Sequence, residues 1–168
     1  MAGDRMSKLH LRPATPGDAA TLWDFLAIAA YEPDAAAARA VPIVAAHLSD
    51  WPRPGDFGVV AEIDGVAVGA AWARQFMTEE QPTFFVDDRT PEVTVGVLDG
   101  VRGQGIGMAI LQSLQAEAQR RGLGLCLNVR DTNPALRLYE RVGFQRVPGS
   151  EVRNRTGGLS IGMVWPHR

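Results

Sequence analysis

Residues 93–118 place the tightest limit on what this chain can fold into. Val93 to Leu98 is β-rich, Gly100 to Gly107 is dense in glycine, and Ile110, Leu111, Leu114 and Ala118 then recur at helical spacing. The pattern is a strand that feeds a glycine loop, which in turn opens a helix. Glycines without a Cβ let backbone N–H groups approach an anion, and the new helix adds unsatisfied N–H donors and the positive end of its dipole. Arg102 offers a charge-assisted hydrogen bond at the same place. The segment therefore suits a ligand carrying a diphosphate, although a glycine turn can also serve only to join a strand tightly to a helix. A Walker loop needs Lys followed by Ser or Thr, and neither is present. A dinucleotide fingerprint starting at Gly103 would need glycine where Met108 stands, and no acidic residue follows about 20 positions on.

Around this centre the chain alternates helix and strand signals. A short strand is expected over His10 to Arg12. Thr15, Pro16 and Asp18 then supply an N-cap, a first-turn proline and an acidic third position for a helix with Leu22, Phe25, Leu26 and Ala29 on one face. Asp34 caps an alanine-rich helix that Pro42 disturbs, and Ser49 to Asp56 is dense in turn formers. Gly58 to Ile63 and Val66 to Arg74 form a hairpin about Asp64-Gly65, a pair suited to the positive φ angles of a type I′ turn. Phe84 to Val86 is expected to add a strand before Asp87-Asp88-Arg89 turns the chain. Arg121-Gly122 ends the long helix, and Leu123 to Val129 forms the next strand. Asn133-Pro134 starts a short helix as N-cap and first residue, which Gly143 stops. Phe144 to Val147 and Leu159 to Val164 are closing strands around a loop from Gly149 to Gly158. With no repeat or linker, the expectation is one mixed α/β domain over residues 1–168.

Composition narrows the function classes. The 46% of hydrophobic residues suffices for a core in 168 residues, which argues against disorder. Seventeen Lys and Arg against nineteen Asp and Glu leave a net charge of -2, so no global basic surface favours nucleic acid. Cys126 is the single cysteine and reads as core packing, consistent with a reducing compartment. His10, His47 and His167 lack metal-ligand spacing, and no metal is expected. Apolar runs such as Val66 to Ala73 are too short to span a bilayer, and Met1 to Lys8 has no signal-peptide core. A cytoplasmic protein without membrane partners is the expectation.

The spacing Arg102, Gly105, Gly107 resembles the coenzyme A signature of the GNAT superfamily, which reads Arg or Gln, two residues, Gly, one residue, then Gly or Ala. The preceding Pro91 to Val97 looks like that family's fourth strand. Asn133 to Phe144 resembles its second signature, with an Asn, a Tyr and a Gly-Phe ending, and Leu11 to Asp18 resembles a common start. The resemblance implies a mixed, mostly antiparallel sheet flanked by helices and splayed between strands four and five. It also implies acetyl-CoA as co-substrate, its pantetheine held by backbone groups of Val95 and Val97. Arg102, Gly103, Gln104, Gly105, Ile106, Gly107 and Met108 would surround the pyrophosphate, and Asn133 would contact the cofactor. Gly96 would mark a bulge.

The implied reaction is N-acetylation of a primary amine by direct attack in a ternary complex. Tyr139 matches the family tyrosine that protonates the departing thiolate. Glu92, at the start of the fourth strand, is the candidate base, although a glutamate there is otherwise an ordinary solvated residue. Acceptors range from small amines to protein N-termini, and homodimerisation is a family habit. Trp51, Trp72 and Phe76 could line an acceptor pocket, with core packing the simpler role for Trp72. Glu79, Glu80, Asp87 and Asp88 could attract a cation or form a solvated loop. Two other classes fit parts of the pattern: a non-catalytic acyl-CoA-binding regulator, and a nucleotide- or phosphate-binding protein that uses the same helix start.

Overall fold

The structure is a computed structural model and describes residues 8–101 and 103–167. The chain gathers into two compact units, one of residues up to Arg74 with Thr94–Leu114, the other of Gln75–Val93 with the residues from Gln115 onward. The sheet is mostly antiparallel with one parallel pairing, and helices flank it.

In the first unit, β1 (Leu9–Pro13) runs antiparallel to β2 (Phe57–Ile63), which pairs with β3 (Val66–Arg74). Asp64 and Gly65 have φ of 52° and 78°, the two positive angles that a type I′ turn demands. The order continues from β3 to β4 (Glu92–Val97), whose last four residues belong here. The first helix begins as a 3-10 turn, Pro16–Asp18, and continues as α1 (Ala19–Ala29). Its start is fixed by Asp18, whose carboxylate accepts from the Thr15 backbone N–H at 2.6 Å and from both Arg12 terminal nitrogens at 2.8 Å. Asp34 caps α2 (Ala35–Ala40) by accepting from the Ala37 N–H at 2.8 Å. Val41, at φ -103° and ψ 107°, takes the extended conformation a following proline imposes, and Pro42 opens the separate α3 (Pro42–Ala45).

Leu22, Phe25, Leu26, Ala38, Leu48, Val60, Ala70 and Trp72 form one apolar cluster. Trp72 is fully buried and donates its indole N–H to the His47 carbonyl at 2.9 Å, so it is a core residue and not a pocket wall. Arg74 spans the base of this unit through a buried bidentate pair with Asp56 at 2.7 and 3.2 Å and a bond to the Ala46 carbonyl at 2.9 Å. Gly96 has a steric cause: a Cβ there would lie 2.5 Å from the Phe25 carbonyl oxygen, so α1 and β4 meet backbone to backbone.

In the second unit, β5 (Leu125–Arg130) pairs antiparallel with β8 (Leu159–Trp165) in an unbroken register from Leu125–Trp165 to Arg130–Ser160. β6 (Gln145–Arg146) and β7 (Val152–Arg153) also pair with β8. Glu92 of β4 pairs in parallel with Cys126, the one registered pair of the β4–β5 ladder. The expected loop from Gly149 to Gly158 thus contains β7. The strand expected at Phe84 to Val86 does not form. Phe84 instead lays its ring on Gly162, where a Cβ would come within 2.4 Å of it, and this contact holds the segment without a ladder.

Helix α4 (Ile106–Arg120) is shared between the units and ends as expected. Gly122 has φ 69°, and the Leu123 N–H reaches back to the Ala118 carbonyl at 2.9 Å. Helix α5 (Leu136–Arg141) starts later than Asn133-Pro134 suggests. The Asn133 Oδ1 accepts from the Ala135 N–H at 2.8 Å in an Asx turn that precedes the helix, so Asn133 is not its N-cap. Gly143 stops it at φ 102°, with the Phe144 N–H on the Tyr139 carbonyl at 3.0 Å.

Candidate functional site

In the first unit the strand, loop and helix are contiguous as the sequence requires. The Leu98 N–H bonds the Val68 carbonyl at 2.9 Å, and a 3-10 turn, Asp99–Val101, leads into the loop. Arg102 lies outside the described residues. Gly103 and Gly105 have φ of 79° and 78°, a region where an L side chain is strained, so both glycines are required by the turn itself. A Cβ on Gly103 would meet nothing within 4 Å, which leaves its backbone open to approach.

The bond from the Ala109 N–H to the Gly105 carbonyl, 3.1 Å, starts the α-helical ladder. Helix geometry therefore puts the N–H groups of Ile106, Gly107 and Met108 ahead of any i−4 acceptor, at the positive end of a 15-residue helix. These features fit a diphosphate. Gln104 Oε1 is enclosed and has no hydrogen-bond partner among the described residues. A carbonyl oxygen accepts hydrogen bonds, so it suits an N–H donor and not the anion. On β4, Thr94 and Gly96 are buried on one face, while Val95 and Val97 share the other and are half-buried.

The second unit holds Glu92, Asn133 and Tyr139. Glu92 is only 6% exposed, which overturns the solvated alternative for it. Tyr139 is buried at 7% exposure in α5 and packs edge-on against Phe144, ring centroids 6.0 Å apart. Cys126 donates its thiol to the Thr90 carbonyl at 3.4 Å, and burial, followed by the charges of Glu92 and Asp87, pushes that thiol far up. It is packing, as its strand position suggested.

The residue that sequence reasoning missed is Asn128. Its Oδ1 is shut off from solvent and has no hydrogen-bond partner among the described residues. The signal was present, since Asn128 interrupts the otherwise apolar run of Leu125, Cys126, Leu127 and Val129.

Several of the remaining candidates make structural contacts. Asp87 accepts from the Thr90 hydroxyl at 2.6 Å and the Arg89 N–H at 2.9 Å, and these bonds, the Thr90 one foremost, hold its carboxyl below the usual range. Glu80 caps the Met77 N–H at 2.8 Å. Trp51 donates to the Thr15 carbonyl at 3.0 Å, and Phe76 is buried. Among the described residues no three His, Cys, Asp or Glu side chains cluster as metal ligands, and no helix is long and apolar enough to cross a membrane.

Fold and loop first define a class: a mixed α/β domain that offers an anionic ligand a glycine loop at a helix start. The family model described as an acetyltransferase (GNAT) domain matches residues 54–146. That is more than half of the sequence, and the chain belongs to the GNAT acetyltransferase family. A mycothiol acetyltransferase from Pseudarthrobacter chlorophenolicus is 28% identical over 143 residues, 82% of this chain. The chain spans 43% of that relative's length. Among solved structures, a ribosomal-protein-alanine N-acetyltransferase from Brucella melitensis aligns with a TM-score of 0.71 at 24% identity, covering 94% of this chain and 99% of the other. A GNAT superfamily phosphinothricin acetyltransferase from Sinorhizobium meliloti, in complex with acetyl-CoA, aligns at 0.65 and 22% identity, covering 95% and 89%. At these identities the structural likeness shows the fold.

Proposed function

We propose that this chain transfers an acetyl group from acetyl-CoA to a primary amine by direct attack within a ternary complex. The observation that carries the reading is the loop itself. Gly103 and Gly105 hold positive φ, and the N–H groups of Ile106, Gly107 and Met108 lead the helix, in a chain of the GNAT family. On this reading Arg102 and Gly103 to Met108 bind the pyrophosphate, backbone groups of Val95 and Val97 hold the pantetheine, and Asn133 contacts the cofactor. A single buried cysteine supports a cytoplasmic setting.

Acetyl-CoA supplies the acetyl group as an activated thioester. An alkyl ammonium has a pKa of about 10.4, so the amine must give up a proton before it can attack. Glu92 takes that proton, directly or through a water, and its burial supports a role beyond solvation. A backbone N–H in the stretch from Val95 to Val97 meets the negative charge that develops on the carbonyl oxygen. Tyr139 gives its phenolic proton to the sulfur as the C–S bond breaks.

Calorimetry of acetyl-CoA with the wild type, Arg102→Ala and Gly105→Val tests the reading. Saturable wild-type binding, weakened at least about tenfold by each substitution, is the expected result. No binding by the wild type overturns it.

A further inference from the structure

We infer that Gln115 of α4 is a positioning residue for the phenol of Tyr139. The inference rests on the acetyl-transfer reading, in which that phenol protonates the departing thiolate, and deepens it.

Its basis lies wholly within the second unit. Gln115 is on the buried side of α4, one turn before the fully buried Ala118, and is itself only 8% exposed. An apolar side chain of similar length would fill such a position without the cost of desolvating an amide. The amide has a partner instead. Its Nε2 donates to the Val142 carbonyl at 2.8 Å, across 27 residues of sequence. The acceptor fixes the orientation of the group, since a carbonyl can meet only the NH2 end of an amide.

The Val142 carbonyl matters because of the helix it closes. With six residues, α5 is too short to hold its place by its own hydrogen bonds. Val142 is its C-cap, where the last carbonyls lack partners inside the helix. The Phe144 N–H meets the Tyr139 carbonyl at 3.0 Å and the Gly143 N–H that of Glu140 at 3.1 Å, while that of Val142 goes to Gln115. Tyr139 lies three residues before Val142, on the same side of the helix and about 4.5 Å along its axis. Gln115 therefore ties to the long helix α4 the end of the turn that carries the phenol. A general acid works only within hydrogen-bond reach of the atom it protonates, and a misplacement of about 1 Å costs about 100-fold. Without the Gln115 donor the Val142 carbonyl turns to another partner, and the phenol moves with α5 away from the sulfur. The proton still passes from phenol to sulfur, and Gln115 exchanges none.

The test reads the contact between phenol and sulfur directly. The chain has two tyrosines, so Tyr31→Phe leaves Tyr139 as the only one. In that protein, labelled with 3-fluorotyrosine, coenzyme A is expected to move the fluorine signal of Tyr139 further than desulfo-coenzyme A, which lacks the sulfur. Gln115→Met is expected to abolish the difference between the two ligands while each binds, by calorimetry, within about twofold of its original affinity. Gln115→Leu, a second apolar replacement suited to a helix core, should do the same. Ser150→Ala removes a hydroxyl that bridges Val147 and Gly162 elsewhere in this unit, and should lower the melting temperature yet leave the difference intact. The inference is overturned if the difference survives both Gln115 substitutions, if Ser150→Ala abolishes it too, or if neither Gln115 variant folds. It is also overturned if the protein with Gln115 intact binds coenzyme A and shows no difference. Absence of coenzyme A binding overturns the acetyl-transfer reading and the inference with it, which tells the two failures apart.

Discussion

The phenol of Tyr139 is held in place by its ring. The short helix α5, stopped one turn later at Gly143, fixes the backbone, and the edge-on contact with Phe144 fixes the side chain. Tyr139→Phe keeps that contact and removes the hydroxyl with its proton. If the phenol protonates the leaving thiolate, kcat falls by about 100-fold while the dissociation constant for acetyl-CoA stays within about twofold. Steady-state kinetics beside calorimetry separates the two quantities, and an unchanged kcat would remove Tyr139 from the mechanism. At Glu92 the structure removes one of the two roles the sequence allowed, the solvated one. A glutamate at a strand end reads as solvated because periodicity cannot show what covers it, whereas in the folded chain it is the β4 residue that pairs with buried Cys126.

Among the elements, β4 is tightly constrained by its neighbours. The Phe25 carbonyl lies where a Gly96 side chain would begin, and both are backbone-bound, so neither can yield cheaply. Gly96→Ala is expected to lower stability by about 1–3 kcal/mol, measured by denaturant unfolding with the slope unchanged. A neutral result would mean that α1 shifts freely. This glycine was visible in the sequence and its cause was not, because a close approach between distant segments leaves no local pattern. Local chemistry was legible by contrast. The Asp64-Gly65 turn, the Asp34 cap, the glycine stops at 122 and 143 and the strand–loop–helix all follow from rules that act within a few residues. Phe84 to Val86 failed as a strand because β-propensity describes a pleated, half-buried surface, and Phe84 found its surface on a glycine in β8 instead. Asn133 kept its capping chemistry but spent it on a turn ahead of the helix.

For the whole molecule, part of the response to acid follows from one junction. Arg12 of β1 binds both Asp18 at the start of the first helix and Glu62 of β2, at 2.8 and 3.0 Å. The Arg12 hydrogen bonds bring the Asp18 carboxyl from its ordinary 3.8 down to about 2, and raise the guanidinium pKa in return. A depressed carboxyl stabilises the fold above its unfolded pKa and loses that contribution as pH falls through its folded value. The pair should therefore contribute on the order of 2 kcal/mol at neutral pH, most of it lost between about pH 4 and pH 2 and the rest below pH 2. Unfolding of wild type and Asp18→Asn across that window should converge at the acid end. Curves separated by a constant amount at every pH would sever the link.

The arrangement around Cys126 has a practical consequence for anyone wishing to watch this protein work. The chain has a single thiol, and in the folded state it is buried under the Thr90 carbonyl and kept in its unreactive protonated form. Maleimide dyes and spin labels, which need an accessible thiolate, therefore meet a chemically silent background without any cysteine having to be removed. A cysteine introduced at exposed Val66, beside the hairpin turn, would be the one addressable sulfur. The native chain is in this sense already prepared for single-site labelling.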